Sequence, residues 1–213
     1  MRSALMLLLG LPSALAFSGE ARAAVGCTLN DPDRDIRRLF PEATGYRTDF
    51  ITIDERGGEP LAREIQEKLD DAFDSIFETN DVPYAFYTVL KGTETIGFVH
   101  GVNQKGMYGG LQLILATDLE GEILEFYYQK MSSPEVKLFR DKSFTRQFQG
   151  LTLADFYDHA FRREGPVAAI RDPSRNSAQD FAATIRGLRK NLILFDAFIL
   201  GWRHDAHYRE VRP

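Results

Sequence analysis

Gly97–Gly150, GFVHGVNQKGMYGGLQLILATDLEGEILEFYYQKMSSPEVKLFRDKSFTRQFQG, decides how the chain is read. Glu94–Val102 has the composition of a strand, and Gly101–Gly110 is a glycine-rich connection. Leu111–Thr117 and Ile123–Gln129 are strand-like runs around Asp118-Leu119-Glu120-Gly121, a hairpin turn with glycine where φ is expected to be positive. Upstream, Tyr84–Leu90 (YAFYTVL) supplies one more strand. Four strands in sequence joined by short turns predict an antiparallel sheet. Pro134 opens a helical stretch through about Asp141, and Phe144 and Phe148 follow at i and i+4.

The flanks read as support. Asp31-Pro32-Asp33 is a helix start, with the helix running to Phe40 before Pro41. Thr48–Asp54 alternates with period two and predicts a strand. Pro60–Phe77 predicts an amphipathic helix, with Leu61, Ile65, Leu69, Ala72, Phe73, Ile76 and Phe77 on one face. A last helix is expected over about Ala178–Leu194, with Ser177 and Asp180 spaced as a capping box. The fold class is therefore α+β, an antiparallel sheet with helices packed on one side.

The 213 residues suffice for one domain with a core, and 44% apolar with 27% charged residues is ordinary globular composition. A net charge of −5 without single-sign runs argues against non-specific nucleic-acid binding. Arg2, the apolar run Ala4–Phe17 and small-x-small sites at Ala14–Ala16 and Ala21–Ala23 read as a secretory signal peptide over residues 1–23; an uncleaved anchor is the alternative. The expected location is periplasmic or otherwise extracytoplasmic. One domain is expected over 24–200, followed by a polar, frayed tail over 201–213. The single cysteine, Cys27, excludes an intrachain disulfide. Its context Ala24-Val25-Gly26-Cys27 is lipobox-like, so it reads either as a lipid anchor or as a free or intermolecularly paired thiol.

No catalytic signature stands out: there is no serine elbow, no Walker loop and no cysteine–histidine pairing, so no catalytic residue is assigned. His204-x-x-His207 has only Asp205 as a nearby helper and reads as solvated tail, so no metal site is assigned. His100, inside a strand, reads as structural. The glycines at 97, 101, 106, 109 and 110 fit either tight turns or a ligand lying against backbone.

These segments resemble the FMN-binding domain found in the G subunit of Rnf electron-transfer complexes, in the C subunit of sodium-pumping NADH:quinone reductase, and in NosR-type regulators. The resemblance runs over roughly Arg34–Leu192. It lies in the strand ending Gly97–Gly101, the turn Lys105–Gly110, Asp118–Gly121, the loop Ser132-Ser133-Pro134-Glu135 in place of Glu-Thr-Pro-Gly, and Phe144–Gly150. Leu39-Phe40-Pro41 with Gly45 adds to it. In that family the flavin phosphate is esterified to a threonine in Ser-Gly-Ala-Thr at the start of the last helix. The equivalent place is Ser174-Arg175-Asn176-Ser177, with Ser177 as the equivalent hydroxyl and Ala182-Ala183-Thr184 as a second echo. The resemblance implies FMN as cofactor, covalently attached or held through Arg175. It implies Ser133, Pro134, Val136, Gly109 and Gly110 beside the flavin, while Phe144 and Phe148 read as core, with flavin neighbours as the alternative. The implied function is an electron relay between a membrane-bound redox complex and another carrier. The alternative is a flavin-free periplasmic interaction or assembly module of such a complex.

Overall fold

The computed structural model describes residues 27–212; the signal-peptide reading over 1–23 lies outside them. A five-stranded antiparallel meander, in the order β1-β2-β3-β4-β5, forms the centre. Its strands are Gly45–Ile51, Tyr84–Lys91, Glu94–Lys105, Gly110–Thr117 and Ile123–Met131. β2 and β4 are buried along almost their whole length because both faces of the sheet are covered. Tyr84, Phe86, Leu111, Leu113 and Leu115 enter the larger core, whereas Ala85, Tyr87, Val89, Ile114 and Ala116 enter a second core on the opposite face.

Helix α1 (Pro32–Leu39) closes that second core through Ile36 and Phe40. This corrects the expectation of helices on one side only. Cys27 is buried there as well, and burial pushes its thiol up to about 12. A lipid on Cys27 would require the residue to leave this position.

The larger core is covered by α3 (Gly58–Leu69) and α8 (Ala178–Phe195), with short turns between. Each fully buried Leu, Ile or Phe there contributes roughly 1.5–3 kcal/mol. α8 lies directly on the sheet at Gly187, where an added Cβ would come within 2.3 Å of Leu113 Cδ1. The β4–β5 turn carries Gly121 at φ +93, and Asp118 Oδ1 accepts the Glu120 and Glu122 amides at 2.9 and 2.8 Å.

Several expected boundaries shift for local reasons. The first strand ends at Ile51 rather than Asp54, because Thr52 and Glu55 form a reciprocal capping box that starts α2 (Ile53–Arg56). The helix expected to reach Phe77 ends at Leu69: Asp70 turns left-handed at φ +50, and the Gln66 side chain takes the Phe73 amide at 2.9 Å. β3 continues to Lys105, which confines the glycine-rich connection to a turn closed by Gly106 N–H donating to Gly109 O at 2.8 Å. The stretch from Pro134 yields only α4 (Val136–Phe139) and α5 (Lys142–Thr145). α6 (Leu153–Tyr157) runs into a π-helical turn at Asp158–Arg162, and α7 (Gly165–Ala168) follows.

The frayed tail is also corrected. Asp205–Val211 is a helix, α9, with Tyr208 and Val211 buried. Lys68 Nζ lies 4.7 Å from the Trp202 ring centroid and 4.2 Å from that of Tyr208, and it donates to Asp205 at 2.5 Å. The cation–π contacts and the ion pair hold the segment on α3.

Candidate functional site

The first turn of α8 leaves backbone N–H groups that need acceptors. The expected capping box does not form. Ser177 is the N-cap residue, but its side chain makes no cap hydrogen bond, and its Oγ is buried without a partner. Asp180 turns away because its Oδ1 accepts the Met107 amide at 2.7 Å, pinning the β3–β4 turn to the helix. A Cβ at Gly106 would come within 2.7 Å of the same oxygen, so the approach depends on a bare backbone. The other carboxylate oxygen, Oδ2, is buried and unpartnered.

Just before the N-cap, an acceptor reaches in from forty residues upstream. Glu135 accepts the Arg175 amide at 3.1 and 3.2 Å and the Asn176 amide at 3.0 Å. The Asn176 hydrogen bond, with Arg175 and the Ser177 hydroxyl dipole adding to it against partial desolvation, holds the Glu135 carboxyl below its ordinary range. Ser177 contributes that dipole without closing a hydrogen bond of acceptable geometry. Ser133 supports the loop: its Oγ accepts the Glu135 amide at 3.3 Å.

The predicted site residues thus meet at one corner of the sheet. Gly109 sits over Ser132, whose Cβ would lie 3.2 Å from an added Cβ, and Gly110 faces the Phe77 ring. Ser174 donates its amide to Asp172 at 2.8 Å. Arg175 and Asn176 are exposed, as is Pro134, while Val136 is half-buried and packs against the larger core. Ser177 itself is fully buried. Thr184, the second echo, is equally buried; it donates to the Asp180 carbonyl at 2.8 Å and shares a 2.7 Å hydrogen bond with Tyr128 OH.

Phe144 and Phe148 are core residues. Their rings lie 5.4 Å apart, and Phe148 meets Phe126 at 4.9 Å. His100 is buried, hydrogen-bonded to Asn191 at 2.7 Å and stacked on Phe195 at 4.5 Å. His204 and His207 diverge, to Asp196 at 3.0 Å and Asp158 at 3.1 Å. Among the described residues no group of three or more His, Cys, Asp or Glu side chains is placed to hold a metal ion, and no helix is long and apolar enough to cross a membrane.

A flavin phosphate at the implied position would meet these same groups. The Arg175 and Asn176 amides there are already bound to the Glu135 carboxylate, and the Ser177 hydroxyl is enclosed. A phosphoester at Ser177 does not fit this arrangement unless Glu135 leaves and the N-cap opens. Two residues that matter here, Glu135 and Asp180, were not singled out as site residues. The available signal was an acid standing where the resembling family has glycine, opposite a helix start with no acid before its third residue. No protein-family model matches the chain, and no curated protein matches it.

Proposed function

We propose that this chain is a flavin-free variant of the FMN-binding-domain fold, serving as an extracytoplasmic interaction or assembly module of a membrane redox complex. The observation that carries the reading is Glu135. Its carboxylate accepts the amides of Arg175 and Asn176, the two residues just before the α8 N-cap, where the resemblance would place a phosphate. With this carboxylate beside the helix start, the fold holds an anion of its own where a cofactor phosphate would sit. The neighbouring β3–β4 turn presents Met107 and Tyr108, each 47% exposed, as apolar contact surface beside this corner.

A second reading keeps the flavin and the relay between a membrane-bound redox complex and another carrier. Ser177 favours it, because the hydroxyl stands at the N-cap, unpaired. In that reading Glu135 is a displaceable cover. If bound, FMN would supply the redox chemistry, and the chain would orient it through Arg175 and the α8 amides.

The two separate in one experiment. The mature chain is exported together with flavin-transfer machinery, and its visible spectrum is recorded before and after denaturation. The flavin-free module gives colourless protein that does not bind added FMN. Yellow colour that precipitates with the protein, or is released to the supernatant, overturns it in favour of covalent or dissociable FMN respectively.

A further inference from the structure

Between α8, the π-helical turn and the end of α3 lies a cavity of about 390 Å³, lined by His159, Arg163, Phe181, Ile185 and Arg189, with Asp70 and Asp71 at one side. It shares Asp70, Asp71 and Ala160 with a neighbouring cavity of about 790 Å³ along α3, to which Arg63 and Arg212 contribute. We propose that this trough binds a small organic oxyanion, a carboxylate or phosphate on an apolar body, through Arg163 and Arg189.

Charge is the first argument. The two linings hold five arginines against three carboxylates. Arg186 is committed to Asp71 at 2.6 Å and to Glu78 at 2.7 Å, and Arg212 is paired with Glu67. Among the described residues Arg63, Arg163 and Arg189 have no carboxylate within ion-pair distance, and the only unpaired carboxylate facing them is Asp70.

Unmet hydrogen-bonding capacity is the second. Arg189 donates Nη2 to the Leu69 carbonyl, which fixes the guanidinium, while its Nε is buried without a partner. His159 Nδ1, from a residue of the same lining, is also buried without a partner. Buried polar atoms left unpaired in a native fold call for a ligand, an ion or water. Burial, together with the charges of Arg163 and Arg189, lowers the His159 pKa and keeps the ring neutral.

Backbone geometry is the third. Arg163 ends the π-helical turn in a left-handed conformation at φ +61, a position that favours glycine, and its amide is held by the Asp158 carbonyl. The fold thus sets an exposed arginine on the cavity lining at some conformational expense. Phe181 and Ile185 define the rest of the ligand: a hydrated inorganic ion would leave this apolar wall unused, and the cavity has the size of small-molecule sites. The trough is separate from the Glu135 corner and does not depend on the flavin reading.

The test is calorimetric titration of the full mature chain with benzoate, phenyl phosphate and benzyl alcohol. Benzoate or phenyl phosphate is expected to bind, and the tighter of the two identifies the head group. Benzyl alcohol is expected to bind at least about tenfold more weakly, the equivalent of one charge-assisted hydrogen bond. Arg163→Gln and Arg189→Gln are each expected to weaken the anion by a similar factor. The exposed Arg163 variant keeps its melting temperature, so the result stands even if the Arg189 variant unfolds. No anion heat at millimolar concentration, equal binding of benzyl alcohol, or wild-type affinity in Arg163→Gln overturns the site.

Discussion

The middle of α8 and its N-terminal end solve the same electrostatic problem in opposite ways. In the middle, Lys190 and Glu78 are both buried and bonded to each other; Arg186 adds contacts to Glu78 at 2.7 and 3.1 Å, and Asn103 O accepts from Lys190 at 2.6 Å. Every charge there is answered by a charge or a carbonyl. At the N-terminal end, Ser177 Oγ and Asp180 Oδ2 are buried and unanswered, and the two amides before the N-cap are held by a half-exposed carboxylate borrowed from another loop. The first arrangement is a lock that holds the segment after α3 to the sheet. The second is a closure that one side-chain rotation can open. A fold's rigid and adaptable parts differ in whether charge is matched by buried charge or by exposed, replaceable backbone contacts.

The largest effect should come from breaking the lock. Burial lowers the Lys190 ammonium to about 8 even with Glu78 beside it. Glu78→Gln removes the counter-charge and strands Lys190, so urea denaturation is expected to show a loss of roughly 3–5 kcal/mol. Replacing Glu78 and Lys190 together by methionine should lose far less, because no buried charge is left unpaired. A near-neutral Glu78→Gln would erase the contrast between the two ends of α8.

His100, bonded to Asn191 beside Lys190 on α8, should give a smaller, pH-dependent effect. Burial carries its imidazole from 6.5 down to about 4, partly opposed by the hydrogen bond to Asn191. Between those values the unfolded chain takes up a proton that the folded chain refuses. Stability is therefore flat above about 6.5 and declines as pH falls towards 4, with a slope of at most about 1.4 kcal/mol per pH unit from this one group. His159, lowered by burial and two arginines, adds in the same direction. His100→Phe should remove the His100 share, seen as a shallower change in urea midpoint between pH 7 and about 5.5. An unchanged slope would mean that His100 is not the group excluded from protonation.

The sheet was legible because its strands are apolar runs punctuated by turn residues, as in Asp118–Gly121. The end of α3 was not. Ala72, Phe73, Ile76 and Phe77 continue the helical period, yet Glu78 has to reach Lys190 and Arg186, and Ile76 finishes 63% exposed. A buried ion pair with partners more than a hundred residues apart leaves no local periodicity. The tail misled for a related reason: Tyr208 and Val211 are sparse among polar residues, and what holds them is Lys68 on α3. At the candidate site, the two loops 132–137 and 174–177 could be read as neighbours through resemblance. That Glu135 closes the gap depends on side-chain reach across forty residues.

The smallest expected effect is the most informative about the closure. Glu135 is held below the ordinary carboxylate range, so its contribution is complete above that range and is lost as pH falls through its lowered folded value. Glu135→Gln keeps the size but loses the charge, and the amide nitrogen now faces a donor it cannot accept from. A modest fall in melting temperature at neutral pH is expected, with no further fall from this group on acidification. The Arg175 and Asn176 amides would then be released towards solvent. Inorganic phosphate and FMN can therefore be titrated against Glu135→Gln and wild type side by side. If only the variant binds, the helix start retains anion affinity, and Glu135 is what keeps the native chain free of it. If wild type binds equally well, the carboxylate yields readily to a phosphate and the flavin relay becomes the better reading. If neither binds, the two amides alone make no site, and the corner is a structural loop closure made at long range.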